Sequence, residues 1–330
     1  MGTSRILPVA YNESTYGTAG AGRDYTSLQT WEVDTDNDLV TAAKGEVLTC
    51  YADASPYADI VTVSGATTNE SYFRVIRAAA GQRGTPTTGV RFEKLNVADN
   101  TTIVVSAENY SSFYDIAAKV TCTASSSKEV SGFTVFPAAG SVIRFVGCTA
   151  YGMSSTGTSG HAHGFYIANN AYTAYIINCV AKDIAGSAGN TLYTAGILCT
   201  ISGVAGTINI YVYNTTINTS NKYGISAVSG VVNGYVNVYA KNTIYQNCTL
   251  GNNFGIRTTL TPTTCAASGV TFADDGYHLA FNDSGAIGRG TNLSGDASFA
   301  FDDDIDEETR GGSWDIGCDK FVFIPTINIF

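Results

Sequence analysis

The chain has 330 residues, 44% of them hydrophobic and only 14% charged, with 35 glycines and a formal net charge of −10. Apolar content this high, spread along the chain, excludes a disordered protein. The acidic balance excludes the concentrated basic surface that phosphate binding needs, so no nucleic-acid partner is expected. No segment is long and apolar enough to insert in a bilayer.

Residues 1–22 are small, polar and aperiodic, and read as an N-terminal arm. They contain no leader-like apolar stretch, so synthesis in a cytosol is expected. Residues 25–40 mix Leu28, Trp31 and Val33 with polar residues and predict a short amphipathic helix. Such a helix would cap a repetitive all-β body, whose apolar core and strand edges would otherwise meet water.

The body is a repeat. IRFVGCTAY (143–151), AYIINCVAK (174–182), IYVYNTTIN (210–218) and VYAKNTIYQ (238–246) align on Gly147, Asn178, Asn214 and Asn242, which recur after 31, 36 and 28 residues. A second series, GFYIA (164–168), GILCT (196–200), GISAV (224–228) and GIRTT (255–259), recurs after 32, 28 and 31 residues. Two interleaved series with one period predict an all-β, right-handed parallel β-helix of three-strand coils of about 30 residues, spanning residues 23–320 with its caps. Strand alternation makes Ile143, Ala174, Ile210 and Val238 one core column, and Phe145, Ile176, Val212 and Ala240 the next. In the second series Phe165, Ile197, Ile225 and Ile256 line up, followed by Ile167, Cys199, Ala227 and Thr258. Extra residues such as 154–160 are expected to bulge out as loops. Asn178, Asn214 and Asn242 follow a strand directly and predict an asparagine ladder at a bend, since Asn tolerates the left-handed region.

The same alternation puts Arg144, Tyr175, Tyr211 and Tyr239 in one outward file, and Val146, Ile177, Tyr213 and Lys241 in the next. Tyrosines spaced about 4.8 Å apart along a sheet support the sheet, lie under a loop, or bind a glycan or a second subunit. Arg144, Tyr175, Tyr211, Tyr213 and Tyr239 are therefore the candidate binding residues. His161 and His163 would point to one side of an extended strand, which allows a shared metal. With no Cys or acid adjoining, an exposed loop before a strand is the expectation. His278 stands alone and carries no functional weight.

The eight cysteines, Cys50, Cys122, Cys148, Cys179, Cys199, Cys248, Cys265 and Cys318, include no CxxC pair. This disfavours a zinc or redox motif and predicts buried free thiols of a reducing compartment. The acidic run Asp302, Asp303, Asp304, Asp306, Glu307 and Glu308 reads as a solvated loop. Calcium at Asp302, Asp304 and Asp306 is the one cofactor these clustered carboxylates suggest. Residues 321–330 form an apolar tail. Phe321, Phe323, Ile324, Ile327 and Phe330 are expected to pack as a last strand or attach to a partner.

Two stretches resemble a known group. GRDYTSLQTWEV (22–33) resembles the entry of the pectin-lyase-like right-handed parallel β-helix superfamily. SGAIGRGTNLSGDASFAFDDDIDEETRGGSWDIGCDKF (284–321) resembles the closing segment of bacterial and phage β-helix proteins. Ser284, Ala286, Ile287, Gly290, Asp304, Arg310, Asp315, Ile316 and Gly317 match, while Cys318 and Lys320 depart. The resemblance implies the fold and little about activity, because the superfold carries lyases, hydrolases, epimerases, adhesins and phage spikes. Glycoside hydrolysis needs paired carboxylates, yet between Phe145 and Ile256 the charged residues are Lys182, Asp183, Lys222 and Lys241. Lys182 and Asp183 read as a surface ion pair at a bend.

The expectation is thus a non-catalytic structural or adhesive protein of a bacteriophage virion surface (a decoration protein, fibre or tail spike). Its partners would be other virion proteins and cell-surface polysaccharide, and by fold analogy it would be a homotrimer. The rival is a polysaccharide lyase or glycoside hydrolase, either secreted to the extracellular space or acting as a phage depolymerase. A bacterial surface adhesin is a third reading.

Overall fold

A computed structural model describes residues 4–187, 193–203 and 205–322. The chain winds into a parallel β-solenoid of about 8 turns, with about 31 residues per turn. A typical coil runs from Val142–Val146 in the first sheet through Thr149–Tyr151 in the second to His161–Ala168 in the third. Among the described residues the first sheet has nine strands and the other two have seven each, and every pairing between strands is parallel.

The register reproduces the columns read from the sequence. Ile143, Ala174, Ile210 and Val238 are successive partners, as are Phe145, Ile176, Val212 and Ala240, and all eight are buried. In the third sheet Phe165 pairs with Ile197 and Ile197 with Ile225. The aromatic residues stack along the axis, with Phe113 on Phe145 at 5.2 Å and Phe133 on Phe165 at 5.0 Å.

Ile256 and Thr258 do not continue these columns. The third sheet pairs Ser226 with Asn253 and Ala227 with Phe254, and Gly224 N donates to Gly251 O. The repeat therefore passes through Gly251 rather than Gly255. Ile256 is 79% exposed, and Thr258 opens the last strand of the first sheet. Two glycines four residues apart allowed the slip. Residues 154–160 are not wholly a loop either, since Ser154–Ser155 pairs with Thr121 and Cys122 in the second sheet.

The recurring glycines of the third sheet have a steric cause. A Cβ on Gly164 would lie 2.6 Å from Gly196 O and 3.0 Å from Ala181 Cβ, and one on Gly196 would lie 2.4 Å from Ile217 Cγ2. Here the strand presses against Ala181 and Ile217 of the second sheet, and no side chain fits.

The bend after each first-sheet strand is a polar ladder. Asn178, Asn214 and Asn242 are buried with φ of 51°, 45° and 48°, and Asp115 (61°) and Gly147 (66°) hold the same place on earlier rungs. Asn242 Nδ2 donates to Asn214 Oδ1 at 3.0 Å. The residue after each bend donates to a carbonyl of the preceding rung. Cys148 bonds Phe113 O, Cys179 bonds Phe145 O, Thr215 bonds Ile176 O, Thr243 bonds Val212 O and Cys265 bonds Ala240 O. Cys and Thr share this position because each is small and can donate. All eight cysteines are free, and Cys148 and Cys179 are fully buried.

Residues 25–40 do contain the expected helix, Leu28–Asp34 (α1), followed by the short helix Leu39–Ala42 (α2). Ser27 caps α1, its side chain accepting from Thr30 N. Leu28 and Trp31, one turn apart, are fully buried, whereas Val33 is 64% exposed. Burying two such side chains contributes about 1.5–3 kcal/mol each. No described helix is long and apolar enough to cross a membrane.

The segment read as an arm is part of the solenoid. Tyr11–Tyr16 pairs in parallel with Gly45–Cys50 as the first strand of the first sheet, and Tyr16 is buried against Tyr57 and Phe92. Backbone pairing holds this strand, so its polar side chains concealed it.

Candidate functional site

Arg144, Tyr175, Tyr211 and Tyr239 stand in one register file on the outer face of the first sheet. The rings stack, Tyr175 on Tyr211 at 5.1 Å and Tyr211 on Tyr239 at 5.0 Å. The face is closed, however. After Thr263 the chain folds back over the solenoid as a strap without a further described strand. Leu293, Phe299, Phe301 and Trp314 of the strap pack on Tyr114, Val146, Ile177 and Tyr213. Phe299 contacts Tyr175 ring to ring at 4.9 Å. Tyr213 and Arg144 are buried, and Tyr175, Tyr211 and Tyr239 are half-buried. Burial pushes the Tyr213 hydroxyl up to about 12. In this structure the file is mainly a support for the strap.

The residues of the closing motif lock that strap. Asp304 accepts from the backbone N–H groups of Asp306, Glu308 and Lys320. Asp315 accepts from Gly288 N and Phe321 N. Arg310, buried, donates to Asp315 O and Gly317 O. Gly317 has φ of 100°, and a Cβ there would lie 2.6 Å from Ile244 Cδ1. The acidic run is thus not a uniformly solvated loop. Asp303 and Asp304 are buried, while Asp306, Glu307 and Glu308 are exposed. Asp302, Asp304 and Asp306 do not converge on one point; Asp304 binds backbone, and Asp306 faces Arg83 and His278. Lys182 and Asp183 form the expected pair at 3.7 Å, with Asp183 at positive φ.

An open trough lies elsewhere, on the first rungs of the third sheet beside α1. It measures about 290 Å³ and is lined by Gln29, Ile60, Thr62, Asn100, Thr101, Thr102, Val105 and Glu129 among others. Gln29 Oε1 accepts from Thr62 N, and Asn100 Oδ1 accepts from Glu129 N, so two lining amides are held by backbone. Burial raises the Glu129 carboxyl above its ordinary range. Val105 pairs with Thr134 and Thr134 with Tyr166, so the row leads from the trough to a half-buried tyrosine two rungs on. Hydroxyls and amides of this kind are hard to tell from ordinary strand surface in a sequence.

His161 and His163 also lie on this sheet, their rings 6.4 Å apart. His163 is fully buried, and its burial lowers its pKa to about 3. Neither ring nitrogen of His163 has a hydrogen-bond partner. Among the described residues, the side chains that converge with metal-ligand spacing are instead His278, Asp306 and Asp319. They come from separate turns of the strap, which is why His278 looked isolated in the sequence. Of the tail, Phe321 packs against Ile244 of the second sheet and Ile316 of the strap, and Val322 is 45% exposed. Phe323, Ile324, Ile327 and Phe330 lie outside the described residues.

The class this fold defines is the all-parallel β-solenoid. No family model, no curated protein and no solved structure matches the chain.

Proposed function

We propose that the protein is a non-catalytic, adhesive β-solenoid that binds a hydroxyl-rich polymer, such as a cell-surface polysaccharide, along the outer face of its third sheet. The observation that carries this reading is the polar trough between Gln29 and Glu129, open while the tyrosine file of the first sheet is covered by the strap. Backbone-held amides and threonine hydroxyls offer both donors and acceptors, and Tyr166 offers a ring edge or face on the same row. A rigid stack of coils presents such groups at a repeat of about 4.8 Å, suited to a linear ligand.

The setting we infer is a particle surface, with a bacteriophage virion first, other virion proteins as neighbours and a homotrimer as the assembly. The support is the likeness of residues 22–33 and 284–321 to pectin-lyase-like β-helix segments of bacterial and phage proteins. The test is binding of the full chain to immobilised dextran, galactomannan and polygalacturonate. Retention of at least one, weakened by Glu129→Gln or Thr102→Ala, supports the reading. Depolymerisation of any of them would replace it with the lyase or hydrolase reading, and retention of none would remove the polysaccharide.

A further inference from the structure

We propose that His278, Asp306 and Asp319 form a binding site for a divalent transition-metal ion that staples the C-terminal strap. One ligand atom from each lies within 4.8 Å of the other two, and His278 Nε2 is 2.9 Å from Asp306 Oδ2. One imidazole nitrogen and two carboxylates are the donor set for zinc or manganese rather than for calcium, which takes oxygens alone.

The surroundings orient each ligand. His278 Nδ1 is hydrogen-bonded to Asp275, which turns Nε2 towards the two carboxylates, the arrangement that metal-bound histidines use. Asp306 Oδ1 accepts from Arg83 Nη2 at 2.7 Å, and Oδ2 lies on the histidine side. Asp319 is fixed by Leu279 N at 3.1 Å. A cavity of about 210 Å³, lined by Leu279, Asp306, Glu308, Asp319 and Lys320 among others, opens beside the ligands and leaves room for water to complete the coordination. Three carboxylates, Asp275, Asp306 and Asp319, surround the one imidazole.

The ligands come from three turns far apart in the strap, so an ion there would bind the folded strap and not the loose one. The experiment titrates the full chain, stripped with chelator, with Zn²⁺ and Mn²⁺, and reads affinity by competition with a chelating dye and stability by thermal unfolding. One ion per chain and a rise in Tm are expected. Asp319→Asn and His278→Ala should lose affinity by more than about tenfold, and Asp275→Asn by about 10–100-fold. Asp302→Asn, which leaves the three ligands intact, should bind as the parent does. The proposal is overturned if neither ion binds at micromolar concentration, or if Asp319→Asn and His278→Ala bind as tightly as the parent. Circular dichroism of each variant confirms that the fold is retained.

Discussion

Arg5 and Asp303, 298 residues apart, are joined by an ion pair of 2.9 Å. The same guanidinium grips Asp115 with two bonds of 2.6 Å, and Ser4 Oγ donates to Asp303 at 2.8 Å. The start of the chain, the bend ladder and the strap therefore meet at one clasp. Burial opposes the charge on Arg5, but Asp115 and Asp303 outweigh it and hold the guanidinium protonated.

Arg5→Ala should lower stability by about 3–5 kcal/mol, because it leaves two largely buried carboxylates without their cation. Arg5→Lys should recover only part, since an ammonium cannot match the forked geometry. Urea midpoints measure both. A change within about 0.5 kcal/mol for Arg5→Ala would show that the clasp contributes nothing.

Gly164→Ala and Gly196→Ala should each cost about 1–3 kcal/mol, as the added methyl meets backbone or a packed side chain below 3 Å. Gly295→Ala, where nothing lies within 4 Å of the new Cβ, should be neutral. Equal effects at the three positions would remove the steric reading of the repeat glycines.

The coils were legible because like residues stack. Ile143 over Ala174 over Ile210 is a pattern of period about 30 that a single chain displays. The slip at Ile256 shows the limit, since Gly255 with Ile256 fits the apolar column better than Gly251 with Asn252, and only the backbone pairing decides for Gly251. The strap was not legible as a cover. Leu293, Phe299 and Trp314 have no strand period, and they find Tyr114, Val146 and Tyr213 only through contacts between residues 80 to 200 positions apart. The tyrosine file was placed correctly, but whether it faced water depended on that distant segment. His278, Asp306 and Asp319 had no common spacing to betray them.

His163 makes stability pH-dependent. Its folded pKa of about 3 lies below the ordinary histidine value, so the folded chain holds the ring neutral while the unfolded chain protonates it below about 6.5. Its contribution is present above that pH and is lost as pH falls from about 6.5 towards 3, at about 1.4 kcal/mol per unit. His163→Phe should therefore lose less stability than the parent between pH 7 and pH 4.5. Parallel losses in parent and variant would mean the ring is not held neutral.

Thiol labelling should divide the cysteines. Cys248 and Cys265 are partly exposed and should react with Ellman's reagent in the native protein, ahead of Cys50, Cys122, Cys148, Cys179, Cys199 and Cys318. Burial raises the Cys50, Cys199 and Cys318 thiols, which further slows them. Rapid reaction of all eight would contradict the packing.

The claim on which the functional reading turns is that the strap covers the tyrosine file of the first sheet. Trp314 sits on that strap, 2% exposed, against Phe301 and Arg310. In a Trp31→Phe background it is the sole tryptophan. Acrylamide quenching of its fluorescence should be weak in the native protein and rise sharply on unfolding in urea. Strong quenching before unfolding would place Trp314 in water, reopen the tyrosine file from Tyr175 to Tyr239, and contradict the account.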